Sequence, residues 1–151
     1  DNDTAGVTVN PTSGLTTTEA GGAATFTVVL NTQPSAAVTI ALTSSDTTEG
    51  AVAPASLVFT PANWNVAQTG TVTGVDDAVG DGAMAYGINT GPITSTDVAY
   101  AAIDPADVAV NNSDNDIAGG VPIPTLSFWA MLALIFGMSL AVIYQQRRQS
   151  A

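Results

Sequence analysis

Cysteine, histidine and lysine are absent from these 151 residues, and the only basic side chains are Arg147 and Arg148. Without cysteine there is no disulfide, no thiolate nucleophile and no zinc–thiolate site. Without histidine the usual general base and the commonest transition-metal ligand are missing, and without lysine so is Schiff-base chemistry. Thirteen acidic residues against two basic ones give a formal net charge of −11, which argues against nucleic acid as a partner because phosphates call for Lys and Arg. Fourteen glycines and eight prolines are too few for a collagen-like or low-complexity chain, and 46% hydrophobic content can fill a core.

The placement of charge says more than its sum. All thirteen acids lie between Asp1 and Asp116, so the first 120 residues hold no positive side chain at all. Clustered carboxylates there must be solvated, protonated, hydrogen-bonded or neutralised by an external cation.

Residues 126–144 form a long run that is both uncharged and predominantly apolar, and it includes Phe128, Trp129, Leu132, Leu134, Ile135, Phe136, Leu140, Val142 and Ile143. As a helix its 19 residues would reach roughly 28 Å, close to the ~30 Å hydrocarbon core of a bilayer. Trp129 and Tyr144 suit the two interfaces, and Arg147 and Arg148 form a basic stop that puts the C-terminus in the cytoplasm and the acidic part outside. The alternative for this run is a buried core helix.

Upstream, residues 4–113 consist of short Thr- and Val-rich stretches between turn-forming residues, the pattern of a two-sheet, all-β immunoglobulin-like antiparallel sandwich. Seven strands are predicted: 6–10 continuing to 15–18, then 23–30, 37–44, 56–60, 68–75, 83–89 and 107–112. Val38, Ile40 and Leu42 alternate with polar or small residues and share a buried face. No helical period is visible before residue 126. The hexapeptide Asp1-Asn2-Asp3-Thr4-Ala5-Gly6 returns as Asp114-Asn115-Asp116-Ile117-Ala118-Gly119, with five identities, at the entry and the exit of the sandwich. That echo predicts tandem repeats, with residues 1–3 ending a preceding copy.

Strands that alternate in direction send every second connection to the same pole. The connections holding Glu19, then Asp46 with Glu49, then Asp76, Asp77 and Asp81, and the exit carrying Asp114 and Asp116, share one parity. Eight carboxylates at one end repel one another. Ca²⁺ accepts six to eight oxygens in irregular geometry, whereas Mg²⁺ prefers a small octahedral shell and softer metals lack His and Cys here. Calcium is therefore the expected counter-ion, although the EF-hand loop spacing is missing; a solvated acidic face of a secreted protein is the alternative. Adjacent Asp76 and Asp77 point apart on an extended chain, which argues against a paired-carboxylate hydrolase, and no enzyme activity is expected. Phe26, Phe59 and Tyr86 read as core. Trp64, in Pro61-Ala62-Asn63-Trp64-Asn65, reads as a cap on the core or as a platform that stacks on a sugar.

Thr18-Glu19-Ala20-Gly21-Gly22, Thr48-Glu49-Gly50, the loop from Gly74 to Gly82 and the closing Asp114-Asn115-Asp116 together resemble the Calx-beta family, a β-sandwich found in sodium–calcium exchangers and in bacterial surface proteins. The resemblance covers residues 4–116. It implies Glu19, Glu49, Asp77, the Val79 carbonyl, Asp81, Asp114 and Asp116 as calcium ligands, with Asp46 and Asp76 peripheral. Ala83, Met84 and Ala85 stand where the family often carries further acids, so one or two weakly held ions, in the ~10⁻⁴–10⁻³ M range, are expected.

Ile123-Pro124-Thr125-Leu126-Ser127, followed by Phe128-Trp129, the apolar run and Arg147-Arg148, is similar to bacterial sorting signals of the IPTL type, with Phe128 standing where glutamate is usual. That likeness implies an exosortase-like transpeptidase as partner and a Gram-negative envelope protein bound for the cell surface; a plain tail anchor is the alternative. The organisation expected is a sandwich at 4–116, a linker with the motif at 117–125, a transmembrane helix at 126–144 and a basic tail at 145–151. The expected role is a non-catalytic structural or adhesive repeat, anchored in membrane lipid and flanked by neighbouring repeats. The alternatives are a module binding extracellular polysaccharide through Trp64 and the loop around Asp97, or an accessory domain of a surface hydrolase.

Overall fold

The computed structural model describes residues 4–116. The expectations for residues 1–3, the linker and motif at 117–125, the membrane helix at 126–144 and the basic tail fall outside the described residues. Among the described residues no helix is long and apolar enough to cross a membrane.

Among the described residues nine strands form two sheets. They are β1 (Val7–Asn10), β2 (Leu15–Thr18), β3 (Ala23–Leu30), β4 (Val38–Ser44), β5 (Gly50–Ala53), β6 (Ser56–Phe59), β7 (Gln68–Gly74), β8 (Met84–Ser95) and β9 (Val108–Ser113). One sheet runs in the order β1-β3-β7-β5 and the other in the order β2-β9-β8-β4-β6. The extra strands over the seven expected come from chain paths that change sheets. The first path pairs with β3 as β1, breaks at Pro11 and Gly14, and joins the opposite sheet as β2. A second path does the same around Pro54: β5 pairs with β7, and β6 pairs with β4. Proline has no N–H to give a ladder, so each break falls where pairing must end. The four residues of β5, Gly-Ala-Val-Ala, carry too little bulk to register as a strand in sequence.

Two further expectations need correction. The sandwich is not wholly antiparallel, since β2 lies parallel to β9 in the register Leu15↔Val110. The strand read as 83–89 continues to Ser95 through Gly91-Pro92, because a bulge between Ile40 and Leu42 in the β4–β8 pairing absorbs these two residues opposite Ala41. A single helical turn, α1 (Val98–Ala101), is also present; Asp97 caps it by accepting from the Ala99 amide.

The core lies between the sheets and follows the alternation of each strand. Phe26, Val28 and Leu30 of β3 meet Val38, Ile40 and Leu42 of β4, with Phe59, Val72, Tyr86, Ile88, Val108 and Val110 completing the layer. Each such side chain taken out of water contributes roughly 1.5–3 kcal/mol, which is the main stabilising term where the described residues contain no Lys, Arg or His to form an ion pair. Gly70 lies under the Phe26 ring, and a Cβ there would collide with it.

Strand direction sorts the connections onto two poles. At one, Thr18 pairs with Ser113, Gly50 with Gly74, and Met84 with Asn112. At the other, Val7 pairs with Leu30, Val38 with both Phe59 and Ser95, and the Leu30 amide donates to the Trp64 carbonyl at 3.2 Å.

Candidate metal centre

Eight of the eleven acids among the described residues occupy connections at the first pole. Local backbone chemistry holds each in place. The turn after β2 closes with Gly21 and Gly22 amides on the Thr18 carbonyl, at 3.0 and 3.1 Å, and Gly21 takes a φ of 81° that favours glycine. This turn presents Glu19, whose own amide donates to the Ser113 carbonyl at 3.1 Å. The chain leaving β9 then folds into an Asx turn, the Asp116 amide donating to Asp114 Oδ1 at 2.6 Å. The loop after β7 uses the same device, with the Val79 amide on Asp77 Oδ1 at 2.7 Å.

Two groups of three carboxylates result. Glu19, Asp114 and Asp116 form one, and Glu49, Asp77 and Asp81 the other; within each, one oxygen per residue lies within 4.8 Å of the others. Six of the residues expected as ligands thus lie in two sets of three. The seventh, the Val79 carbonyl, accepts the Asp81 amide at 2.8 Å and braces the loop. Asp46 turns away: its carboxylate accepts from the Thr48 hydroxyl and amide, at 2.6 and 3.0 Å, which hold its pKa below the usual value. Asp76 lies beside the groups, 3.5 Å from Asn115 Nδ2.

Glu19 and Glu49 are only 3% and 6% exposed, although the described residues contain no Lys, Arg or His to pair with them. Buried carboxylates without a cation are costly, so what compensates them decides what the pole can do. Amides compensate in part. Glu19 Oε2 accepts from the Asn115 amide at 3.0 Å, and Asp114 Oδ2 from the Gly82 amide at 2.6 Å. The Asp116 and Gly82 amides hold the Asp114 pKa below its usual value. At Glu19 the Asn115 amide pulls the pKa down, but burial together with the charges of Asp114 and Asp77 outweighs it and the net shift is upward. Burial, then the charges of Asp114, Asp76, Asp77 and Asp81, raises Asp116. Asp116 Oδ2 is buried and has no hydrogen-bond partner among the described residues. The two groups therefore share one uncompensated negative field.

A hard cation fits this donor set. Oxygens bound to one Ca²⁺ at 2.3–2.6 Å can stand up to about 5 Å apart, the separation that each group provides. An ion beside Asp116 would also give its unpartnered oxygen a ligand bond.

Sequence reasoning missed the residue that positions Glu49. Asn112, 1% exposed, donates through Nδ2 to Glu49 Oε2 at 3.3 Å and to the Val75 carbonyl at 3.2 Å, while its Oδ1 accepts the Thr17 hydroxyl at 2.9 Å. Thr17 lies 3.0 Å from the Tyr86 hydroxyl, so three strands and the β7 exit converge on one buried amide. The only sequence signal was an asparagine at an inward position of β9, after Val108 and Val110.

No family model and no curated protein matches the sequence. Among solved structures, the apo form of the Calx CBD1 domain matches with a TM-score of 0.56 at 17% identity, over 76% of this chain and 100% of that one. CBD12 from CALX1.2 matches at 0.53 and 17%, and the calcium binding domain CBD12 of CALX1.1 at 0.56 and 19%. The chain spans 44% and 47% of those two structures. The fold is therefore an all-β, two-sheet sandwich of Calx-beta-like architecture.

Proposed function

We propose that the sandwich is a non-catalytic structural or adhesive module stiffened by Ca²⁺ at its acidic pole, one repeat of a larger bacterial cell-surface protein. The observation that carries this reading is the pair of carboxylate triplets at one pole, two of their members buried and Asp116 Oδ2 left unpartnered, with no Lys, Arg or His among the described residues. Glu19, Asp114 and Asp116 would hold one ion, and Glu49, Asp77 and Asp81 a second. The ion supplies charge neutralisation and cross-links the β2 turn, the β5 entry, the loop after β7 and the exit of β9. Asp114 and Asp116 lie where the chain leaves the sandwich, so an ion there would also fix the angle to whatever follows.

The C-terminal part belongs to the same proposal: a motif at Ile123, Pro124, Thr125, Leu126, Ser127 and Trp129, a membrane span and a stop at Arg147 and Arg148, read by an exosortase-like transpeptidase in a Gram-negative envelope. A surface-displayed protein that still contained residues 130–151 would contradict processing. For the ion, calcium titration calorimetry on the full chain tests the reading. Binding in the ~10⁻⁴–10⁻³ M range is expected. Asp77→Ala with Asp81→Ala, both exposed, should remove one phase of the heat; no heat from the native protein would reject the proposal.

A further inference from the structure

The second pole has its own cleft. Its volume is about 450 Å³, within the ~300–1,000 Å³ of small-molecule sites, and Asn31, Thr32, Gln33, Trp64, Asp97 and Tyr100 line most of it. Three connections meet there: the exit of β3, the loop between β6 and β7, and the segment around α1.

Its walls are braced. The Thr60 amide and hydroxyl both donate to Asn63 Oδ1, at 2.6 and 3.0 Å, and the Val66 amide returns to the Asn63 carbonyl at 3.0 Å, which fixes the loop that carries Trp64. Opposite, the Tyr100 hydroxyl donates to the Thr32 carbonyl at 2.6 Å and accepts the Thr32 amide at 3.1 Å. Asp97 accepts the Ser35 amide at 2.7 Å and the Ser35 hydroxyl at 2.9 Å. A cleft fixed in advance by its own hydrogen bonds loses little entropy when a ligand enters.

Polar capacity is left over on the residues that line it. Trp64 is half-buried against the core, and its indole N–H donates to nothing among the described residues. Gln33 Nε2 is committed to the Pro61 carbonyl at 2.7 Å, which leaves Oε1 as a spare acceptor; Asn31 Oδ1 accepts the Thr8 hydroxyl at 2.7 Å, which leaves Nδ2 as a spare donor. Two donors and an acceptor around an aromatic face suit a ring with apolar C–H faces and hydroxyls at its edge. Charge narrows the class. With Asp97 in the wall and no Lys, Arg or His among the described residues, uronates, sulfated glycans and phosphates are repelled.

We infer that this cleft is a binding site for a neutral saccharide unit, with Trp64 as the stacking platform and Asn31 and Gln33 as hydroxyl-recognising side chains. The site stands apart from the carboxylate triplets and does not rest on calcium.

The test is isothermal titration of the full chain, in a zwitterionic detergent without a sugar headgroup, with cellohexaose, xylohexaose, laminarihexaose and chitohexaose, and with hexagalacturonate as the anionic counterpart. At least one neutral oligosaccharide should bind and hexagalacturonate should not. Trp64→Ala should weaken binding roughly thirtyfold or more, as for a hot-spot aromatic. Gln33→Ala removes an exposed side chain without touching the core, should weaken binding several-fold, and decides the matter if the tryptophan variant does not fold. Chelator should leave the affinity unchanged. Failure of all four neutral probes, affinity unaltered by Gln33→Ala, preference for hexagalacturonate, or loss of binding on chelation would each overturn the inference.

Discussion

The Gly82 amide donates a 2.6 Å hydrogen bond to Asp114 Oδ2, joining the loop after β7 to the chain that leaves β9. Gly82 has a φ of 83°, a conformation that glycine adopts without penalty. This bond, with the longer contact from Asn115 Nδ2 to Asp76 Oδ1, holds the loop bearing Asp77 and Asp81 beside the group formed by Glu19, Asp114 and Asp116. Charge in the loop is therefore felt at the exit of β9, where Asp76, Asp77 and Asp81 help to raise the pKa of Asp116.

Neutralising Asp116 should have opposite effects with and without calcium. Burial and the surrounding carboxylates disfavour its charged form. Asp116→Asn should therefore raise the melting temperature in chelator and shrink the gain that calcium produces. A variant that melts below the native protein in chelator would count against an uncompensated field at this pole.

Removing the buried amide should be costly. Asn112→Ala strands the Val75 carbonyl, leaves Glu49 without its side-chain donor and takes from the Thr17 hydroxyl its acceptor, leaving it only the Tyr86 hydroxyl. Unsatisfied buried groups cost about 1–3 kcal/mol, so urea unfolding in calcium-free buffer should show a loss of about 2–3 kcal/mol. A loss under half a kcal/mol would show that Asn112 does not organise the site.

Gly70→Ala tests the packing between the sheets. A Cβ at this position meets the Phe26 ring, and overpacking a closed core costs typically 1–3 kcal/mol. Urea unfolding should register that loss with calcium affinity unchanged, because the collision is far from the carboxylates along β7.

Acid should first stabilise and then destabilise the chelated protein. Glu19 and Asp116 have folded pKa values raised above 4.5 and 3.8, so their contribution is fully present below those values and is lost as pH rises through the folded ones. Asp46, Asp97 and Asp114 are lowered from 3.8, so theirs is present above that value and is lost as pH falls through the folded ones. Melting temperature should rise as pH falls from neutral, turn over where the lowered carboxylates begin to protonate, and saturating calcium should flatten the rise. A curve that falls steadily from pH 7 downward in chelator would contradict these shifts.

Much of this was legible in the sequence because strand alternation and connection parity depend on local pattern. Val38, Ile40 and Leu42 announce an inward face, and parity alone carries Glu19, Glu49, Asp77, Asp81, Asp114 and Asp116 to one pole. What escaped depends on pairing across the fold. β5 lacks bulky residues, Gly91-Pro92 reads as a strand end unless the bulge opposite Ala41 is known, and the parallel course of β2 follows from a sheet switch at Pro11. The division into two carboxylate groups rests on backbone amides, those of Asn115, Gly82 and Asp116, that no residue pattern advertises. Asn112 was invisible for the same reason: an inward asparagine signals a network only once its partners are placed.

The most direct measurement is thermal unfolding of the full chain in chelator and again in excess calcium. At ten to a hundred times the dissociation constant, mass action contributes about 1.4–2.7 kcal/mol, or roughly 5–10 °C for a domain of this size. An upward shift of that order is expected in calcium, reduced when Asp77 and Asp81 are replaced by alanine. Superimposable melting curves would contradict it.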